Sequence, residues 1–291
     1  MKNLKHILLY FLMLPAILIG TLAMISYGVP VSIWIQNLFI WLIGTVVCSI
    51  LLIKNKKNAR KARVYPALVI AALLILPFCF EGIDGVHRWL SFGPLTFYIA
   101  SILLPLLIIQ LGRLSRSHHP GYLIGIILFT FIILLLQPDA GQLTSFACGM
   151  AIILVKQVSN SFIKLLSLTL TAVFVILSWI FLDDLAPVPY VERIIFLVGD
   201  MGEFWLVAGI VSLILLFIPF VIRRNMISYS LGVYFLMTII VTFMGNFPVP
   251  IMGYGTSPII GYFIAVTWIN RDRYSVPVSR DSRDRNPVPT S

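Results

Sequence analysis

Residues 85–97 read GVHRWLSFGPLTF, a polar and aromatic stretch that separates two long apolar runs of the chain. The stretch is short, and both neighbouring runs are long enough to be buried away from water. Polar and charged groups are costly to bury, so we do not expect a loop that carries several of them between two buried segments to serve only as a spacer. We therefore expect this loop to form a working surface, because it carries His87, Arg88 and Trp89 next to Glu81 and Asp84.

The composition assigns the chain to the membrane proteins. Hydrophobic residues make up 59% of the 291 residues, charged residues make up 11%, and the mean hydropathy is +1.00. These values exclude a water-soluble domain of this size. A bilayer core about 30 Å thick needs roughly 20 apolar residues per helix, because unpaired backbone groups in hydrocarbon cost several kcal/mol each. Ten apolar runs predict an all-α integral membrane protein with ten transmembrane helices over residues 1–270.

The basic residues predict the orientation of these helices. Lys and Arg accumulate in cytoplasmic loops, because cationic side chains cross membranes poorly. With a cytoplasmic N-terminus, alternating spans place 19 of the 21 Lys and Arg residues inside and leave Arg88 and Arg193 outside. Both termini are therefore predicted to be cytoplasmic, and residues 271–291 are predicted to form a disordered tail. Residues 54–63, KNKKNARKAR, are predicted to contact anionic headgroups of the lipid bilayer, and no nucleic acid.

Cysteine spacing and the N-terminus add two smaller expectations. Cys48, Cys79 and Cys148 lie in or at the ends of apolar runs, so no disulfide and no metal site is predicted. The N-terminal apolar run is longer than that of a signal peptide and has no clear cleavage site. It is predicted to remain as the first transmembrane helix.

The predicted outer face is rich in carboxylates and also holds the two outer arginines. Arginine binds phosphate through two parallel hydrogen bonds, and a carboxylate can remove a proton from a sugar hydroxyl. This combination suits an anionic lipid headgroup. The alternative is that outer loops carry acids only because basic residues are excluded from them, and composition leaves both explanations open. The acids concerned are Glu81, Asp84, Asp139, Asp183, Asp184 and Glu192.

Two further features fall inside predicted membrane segments. Asp200 and Glu203 are three residues apart in the predicted eighth span, Ile194 to Ile222, and are expected to share a helix face about 12 and 16 Å into the bilayer. They serve either as protonated hydrogen-bonding groups or as part of a proton or substrate pathway.

Residues 248–258, PVPIMGYGTSP, cannot complete helical hydrogen bonds, so they either line a cavity or form a loop before the last helix.

Three motifs, in chain order, resemble the shape, elongation, division and sporulation (SEDS) family, which includes FtsW, RodA and SpoVE. Residues 85–97 resemble its first large outer loop, in which an Arg-Trp pair precedes a Gly-Pro-Leu step. Residues 134–141, LLLQPDAG, resemble its Gln-Pro-Asp motif followed by Gly. Residues 248–257 resemble its late Pro-x-Pro and Ser-Tyr-Gly-Gly-Ser segment. With the matching span count, the chain is similar to a short, divergent member of this family.

The resemblance implies a membrane glycosyltransferase of the bacterial cell membrane that polymerises lipid II into peptidoglycan. The implied substrate is undecaprenyl-linked lipid II, and the implied partner is a class B penicillin-binding protein. The process served would be cell shape, cell division or sporulation. No cofactor is indicated, and assistance by a divalent cation stays open. Substrate contacts are expected at Arg88, Trp89, Arg193, Asp139 and Tyr254.

The chain departs from the family in its fourth outer loop. In the family this loop is long and ends in a Pro, His-Thr-Asp-Phe stretch whose Asp is thought to be catalytic, whereas here it is shortened to residues 183–204. Spacing aligns residues 189–192, PYVE, with that stretch and makes Glu192 the candidate catalytic base, with Asp183 and Asp184 as the next candidates. Residues 98–101, YIAS, also lack an acid that the family carries there. A non-catalytic scaffold and a lipid-linked precursor transporter using Asp200 and Glu203 therefore remain alternatives.

Overall fold

The computed structural model describes residues 2–54, 63–93 and 95–272 of the chain. Fourteen α-helices and one β-hairpin lie within these ranges. Residues 55–62 of the predicted basic loop and residues 273–291 of the predicted tail lie outside them, so both remain predictions.

Ten helical segments correspond to the ten predicted spans. Five of them have at least 18 residues and are apolar enough to cross a membrane. Helix α7 also has 18 residues but is less apolar, and the remaining segments are shorter. In chain order the segments are α1 and α2 (Lys2–Phe11 and Leu14–Ser26), α3 (Val31–Lys54), α4 (Val64–Leu73) with a 3-10 helix (Leu76–Cys79), α5 (Ile99–Leu114), α6 (Pro120–Leu136), α7 (Ala140–Gln157), α8 (Ser161–Ile180), α11 and α12 (Glu203–Leu215 and Ile218–Ile222), α13 (Met226–Ile240) with a 3-10 helix (Val241–Phe243), and α14 (Thr256–Asp272).

The two ends of this bundle differ in charge. Large apolar side chains such as Phe162 (74% exposed) and Phe204 (75% exposed) lie open on its sides, as expected for surfaces in contact with lipid. Basic residues occur at the ends of helices that share one side of the membrane in the predicted topology, and we call this side the inner end. The described basic residues there include Lys54, Arg113, Lys156, Arg223 and Arg271.

Small residues let the central helices approach closely. Helix α7 packs along α13, where the Ser230 hydroxyl donates to the carbonyl oxygen of Gly149 at 2.5 Å. Helix α14 packs against both α3 and α5. A Cβ atom at Gly261 of α14 would lie 2.1 Å from the carbonyl oxygen of Ser101 on α5. Such contacts drive helix association in lipid, where burial of apolar surface contributes little.

The outer loop at residues 85–97 folds into a β-hairpin, which the prediction of helices alone did not include. Strand β1 (Trp89–Phe92) pairs antiparallel with β2 (Leu95–Tyr98), and Trp89 lies opposite Tyr98. The turn contains Gly93 with φ +60°, a conformation that glycine adopts without steric cost. The hairpin leads directly into α5, so its last residue, Tyr98, is held at the outer end of that helix.

The predicted eighth span is wrong at its start. The chain forms two short helices, α9 (Pro189–Glu192) and α10 (Ile194–Asp200), and the membrane-length segment begins only at Glu203. The chain turns at Gly202, whose φ is +122°. Beyond this turn, α11 packs back against α10. The two helices are so close that a Cβ atom at Gly209 would lie 3.1 Å from the Val198 side chain.

Asp200 and Glu203 therefore do not share a helix face. Both carboxylates lie exposed on either side of the turn between α10 and α11. The expectation that they lie about 12 and 16 Å into the bilayer on one continuous helix is wrong, because it assumed an unbroken helix. The transporter alternative loses the buried pair on which it depended.

Candidate active site

Arg88 lies at the centre of a buried polar network at the outer end of the bundle. Its side chain is 5% exposed. The Nε atom donates to the carbonyl oxygen of Gln137 at 3.1 Å, and a terminal nitrogen donates to the carbonyl oxygen of Pro138 and to a carboxylate oxygen of Asp183. One guanidinium thus joins the hairpin loop, the turn between α6 and α7, and the loop after α8.

Asp139 supports this network from the N-terminus of α7. One carboxylate oxygen accepts from the backbone N–H of Gln142 at 3.1 Å, a helix cap that satisfies an otherwise unpaired donor. The other accepts from the hydroxyl of Tyr98 at 2.6 Å. The Gln137 amide donates to the carbonyl oxygen of Leu74 at 2.6 Å, so the turn is also fixed to the end of α4.

Burial and charge act in opposite directions on these groups. Burial raises the pKa of Asp139, and the charge of Arg88 and the Tyr98 hydrogen bond offset only part of that shift. Burial lowers the pKa of Arg88, but the nearby Asp139, Tyr98 and Asp183 outweigh burial and leave it raised. The guanidinium therefore stays charged, as a buried cation with paired carboxylates should.

The predicted loop at residues 248–255 packs between α3 and α9. The side chain of Asn37 is fully buried, donates to the carbonyl oxygen of Gly253 at 2.9 Å and accepts from the N–H of Gly255 at 3.2 Å. Backbone N–H groups of Val249 and Tyr254 donate to the carbonyl oxygens of Val191 and Tyr190 at 3.1 and 2.9 Å. The loop and α9 lie so close together that a Cβ atom at Gly253 would be 2.4 Å from the carbonyl oxygen of Val191.

Glu192, the candidate base, ends α9 directly beside this loop. Its carboxylate is half-buried and accepts from the N–H of Val188 at 2.7 Å. Burial raises the pKa of Glu192 to about 7, while the Val188 hydrogen bond and the charge of Arg88 lower it and the charge of Asp183 raises it. A carboxylate with a pKa near neutral pH is suited to accept a proton during a reaction.

The other predicted site residues divide into buried and open positions. Asp183 belongs to the Arg88 network, whereas Asp184 and Arg193 are exposed. Trp89 is half-buried, with its ring centroid 5.8 Å from the Arg88 guanidinium carbon and 6.1 Å from the Tyr98 ring centroid. Tyr254 is half-buried, its ring lies 6.2 Å from that of Tyr190, and its hydroxyl donates to the Gln36 side chain at 3.0 Å.

The space inside the buried network is small. A cavity of about 20 Å³ lies between α5, α7, α13 and the 248–255 loop, and Tyr98, Gln142 and Tyr234 are among its lining residues. This volume holds about one water molecule. Glu192, Arg193 and Tyr254 are not among the residues that line this cavity. Among the described residues, no group of three or more His, Cys, Asp or Glu side chains could hold a metal ion.

Sequence reasoning missed Gln36, Asn37 and Tyr98. Gln36 and Asn37 form a polar pair within the otherwise apolar α3, and that interruption was the available signal. Tyr98 lies in the run that lacks an acid, and its position at the end of the hairpin, directly before α5, has no distinctive sequence pattern. Each of the three residues connects segments that are distant in sequence, and no local pattern encodes such connections.

Comparison with known proteins identifies the fold. No protein-family model matches the sequence, and no curated protein matches it. A point mutant of the rod shape determining protein RodA of Thermus thermophilus superposes with a TM-score of 0.68 at 17% identity, covering 91% of this chain and 97% of that one. Unmutated RodA gives 0.65 at 17% identity, covering 91% and 96%.

A third solved structure comes from a peptidoglycan synthase complex described for its coordination of polymerization and crosslinking. It matches with a TM-score of 0.61 at 18% identity, covering 92% of this chain and 98% of that one. The predicted multi-pass helical membrane fold is thus confirmed, and the resemblance drawn from the motifs is confirmed at the level of the fold. At 17% and 18% sequence identity, these similarities show the fold alone.

Proposed function

We propose that this RodA-like chain is a SEDS protein of the bacterial cell membrane and polymerises lipid II as an inverting glycosyltransferase. The observation that carries the proposal is the half-buried Glu192, whose pKa is raised to about 7 at the open edge of the outer polar network. The RodA fold supports the same assignment. The motifs at residues 85–97, 134–141 and 248–257 support it independently of the fold.

In the proposed reaction, the acceptor sugar hydroxyl attacks the anomeric carbon of the donor sugar, and its proton moves to the Glu192 carboxylate. The bond between the anomeric carbon and the diphosphate oxygen breaks, and its electron pair leaves with the lipid-linked diphosphate. A base whose pKa lies near the working pH is effective because it is ionised and still accepts the proton readily. Attack from the opposite face inverts the anomeric configuration.

The arginines have separate roles in this proposal. Arg193 is exposed next to Glu192, so we assign it the departing diphosphate, whose charge a guanidinium binds bidentately. Arg88 is occupied by Asp183 and two carbonyl oxygens, so we assign it to holding the loops in place rather than to binding in this conformation. Trp89 and Tyr254 would border the sugar, and Asp139 would fix Tyr98.

The test is a lipid II polymerisation assay on detergent-purified protein, with Glu192→Gln, Asp183→Asn and Asp184→Asn compared with the unmutated chain. Glu192→Gln should abolish polymer, because the amide cannot accept the proton. Asp184→Asn is the matched control, since Asp184 is an exposed acid of the same loop, and it should retain activity. Full activity of Glu192→Gln would rule out the role of this residue.

A second candidate is a non-catalytic scaffold that binds a class B penicillin-binding protein. The shortened fourth outer loop favours it, as does the match to a chain of a peptidoglycan synthase complex. A scaffold would form no polymer from lipid II under any condition, yet would co-purify with the penicillin-binding protein. The polymerisation assay on the unmutated chain, alone and with that partner, separates the two candidates.

A further inference from the structure

A groove opens on the side of the bundle towards its inner end, far from the outer network. It has a volume of about 510 Å³ and lies between α3, α5 and α14. Its walls are mostly apolar, with Ile43 and Val47 from α3, Ile109 from α5 and Ile264 from α14. These three helices all run from the outer to the inner end, so their lining residues lie at matching depth.

The length of the groove fits one leaflet of a membrane. On α3 the lining extends from Ile40 to Leu51, which corresponds to about 16 Å along the helix axis. That is about half of the roughly 30 Å hydrocarbon core. The groove therefore accommodates an acyl chain that enters from the inner leaflet, whereas a lipid reaching the outer site would have to extend beyond it.

The inner mouth of the groove is cationic. Arg113 lies in the last turn of α5 and Arg271 in the last turn of α14, and both line the groove. Arg271 also donates to the carbonyl oxygen of Leu51 at 3.2 Å, which places its guanidinium beside the end of α3. Gln110 adds a polar side chain at the same end. Two guanidinium groups at one mouth suit a phosphate, which each can bind bidentately.

The sequence beside the mouth favours an anionic lipid. Residues 54–63 contain six Lys and Arg residues and continue directly from the end of α3. Basic residues near an anionic leaflet attract acidic lipids, so such a run raises their concentration locally. This attraction alone does not favour one binding site over another. The groove adds an apolar channel and two arginines next to the end of α3, where the basic run begins.

We propose that this groove binds one anionic phospholipid of the inner leaflet, with an acyl chain along α3 and α14 and its phosphate held by Arg113 and Arg271. The site is separate from the proposed reaction at the outer end and does not depend on it. Its ligand is a glycerophospholipid such as phosphatidylglycerol. Occupancy would fill the gap between α3 and α5 and fix α14, whose outer end continues from the 248–255 loop.

Cys48 provides a direct reporter, because this half-buried free thiol lines the groove. Detergent-purified protein is titrated with phosphatidylglycerol or phosphatidylcholine, and retained lipid is counted by native mass spectrometry. Maleimide labelling of Cys48 is followed in parallel by peptide mass spectrometry, with the exposed Cys79 as internal reference. Phosphatidylglycerol should be retained at one molecule per chain and should slow Cys48 labelling at least tenfold, while Cys79 labelling stays unchanged.

Two variants separate the headgroup from the acyl chain. Arg113→Gln with Arg271→Gln should weaken phosphatidylglycerol binding at least tenfold, whereas the control Arg116→Gln with Arg224→Gln removes the same charge from exposed positions outside the groove and should leave binding unchanged. Ile43→Trp should fill the groove and abolish retention without changing charge. Equal protection by both lipids, equal losses in the two double variants, or unchanged binding by Ile43→Trp would each overturn the proposal.

Discussion

Two neighbouring regions at the outer end carry the same kinds of side chain but differ in exposure. Around Arg88, the charged groups are buried or, for Asp183, largely buried, each has a hydrogen-bond partner, and a nearby cavity holds about one water molecule. Around Glu192, the carboxylate is half-open and the nearby Arg193 is exposed. The comparison shows that burial, more than residue type, separates groups that hold the outer loops together from groups that could meet a substrate.

The largest effect should follow from breaking the buried region. Arg88→Leu leaves the buried Asp139 and the largely buried Asp183 without their cation, and removing one partner of a buried ion pair costs about 3–5 kcal/mol. We expect a large drop in the thermal unfolding temperature of detergent-purified protein. Adding Asp183→Leu to Arg88→Leu should recover part of the loss, since the unpaired charge is removed. An unfolding temperature equal to that of the unmutated chain would show that the network has no structural role.

The next largest loss of stability should follow from releasing the 248–255 loop, which lies between the two regions. Asn37→Leu leaves the carbonyl oxygen of Gly253 and the N–H of Gly255 without their partner, at a cost of about 1–3 kcal/mol. Ser49→Ala is the control on the same helix, because its hydroxyl bonds only to the neighbouring turn at Thr45. Thermal unfolding should distinguish the two variants. A loss in Asn37→Leu no larger than in Ser49→Ala would contradict the assigned clamp.

The region around Glu192 should make the unfolding temperature depend on pH. The pKa of Glu192 is raised from its ordinary value of 4.5 to about 7 in the folded chain. Between these two pH values, the folded state holds a proton that the unfolded state has already released. Stability from this group is present below pH 4.5 and is lost as pH rises through about 7. The unfolding temperature of Glu192→Gln should therefore lack this decline and exceed that of the unmutated chain at pH 8. Parallel pH profiles for both proteins would remove the support for a raised pKa.

The smallest effect is expected at the exposed acid of the same loop. Asp184→Asn should change the unfolding temperature little, because isolated surface charges contribute roughly 0–1 kcal/mol. A destabilisation as large as that of Arg88→Leu would place Asp184 inside the buried network.

Much of the fold follows from the sequence because lipid imposes strict rules on length and polarity. Ten apolar runs, their basic ends and the Gln137 to Asp139 turn all predicted segments that the structure contains. The break at Gly202 was missed because an apolar run longer than a bilayer fits both a tilted helix and a hairpin of helices. The run of two glycines and two acids between Gly199 and Glu203 was the signal for the hairpin.

The candidate site was harder to predict than the fold. Motif order grouped Arg88 and Asp139 with the outer acids, but the burial of Arg88 depends on carbonyl groups of Gln137 and Pro138 that carry no side-chain signature. Asn37 belongs to a polar pair with Gln36, but its own partners lie 216 and 218 positions away. Contacts of this kind arise from tertiary packing, and a sequence without structure does not encode them locally.

The central claim is that Glu192 accepts the proton during glycosyl transfer, and the pH dependence of lipid II polymerisation tests it most directly. Initial rates of the purified chain should rise with pH and reach half their maximum near pH 7, as the Glu192 carboxylate becomes ionised. Glu192→Gln should form no polymer at any pH. Polymer formation by Glu192→Gln at the unmutated rate, with the same pH profile, would contradict the account.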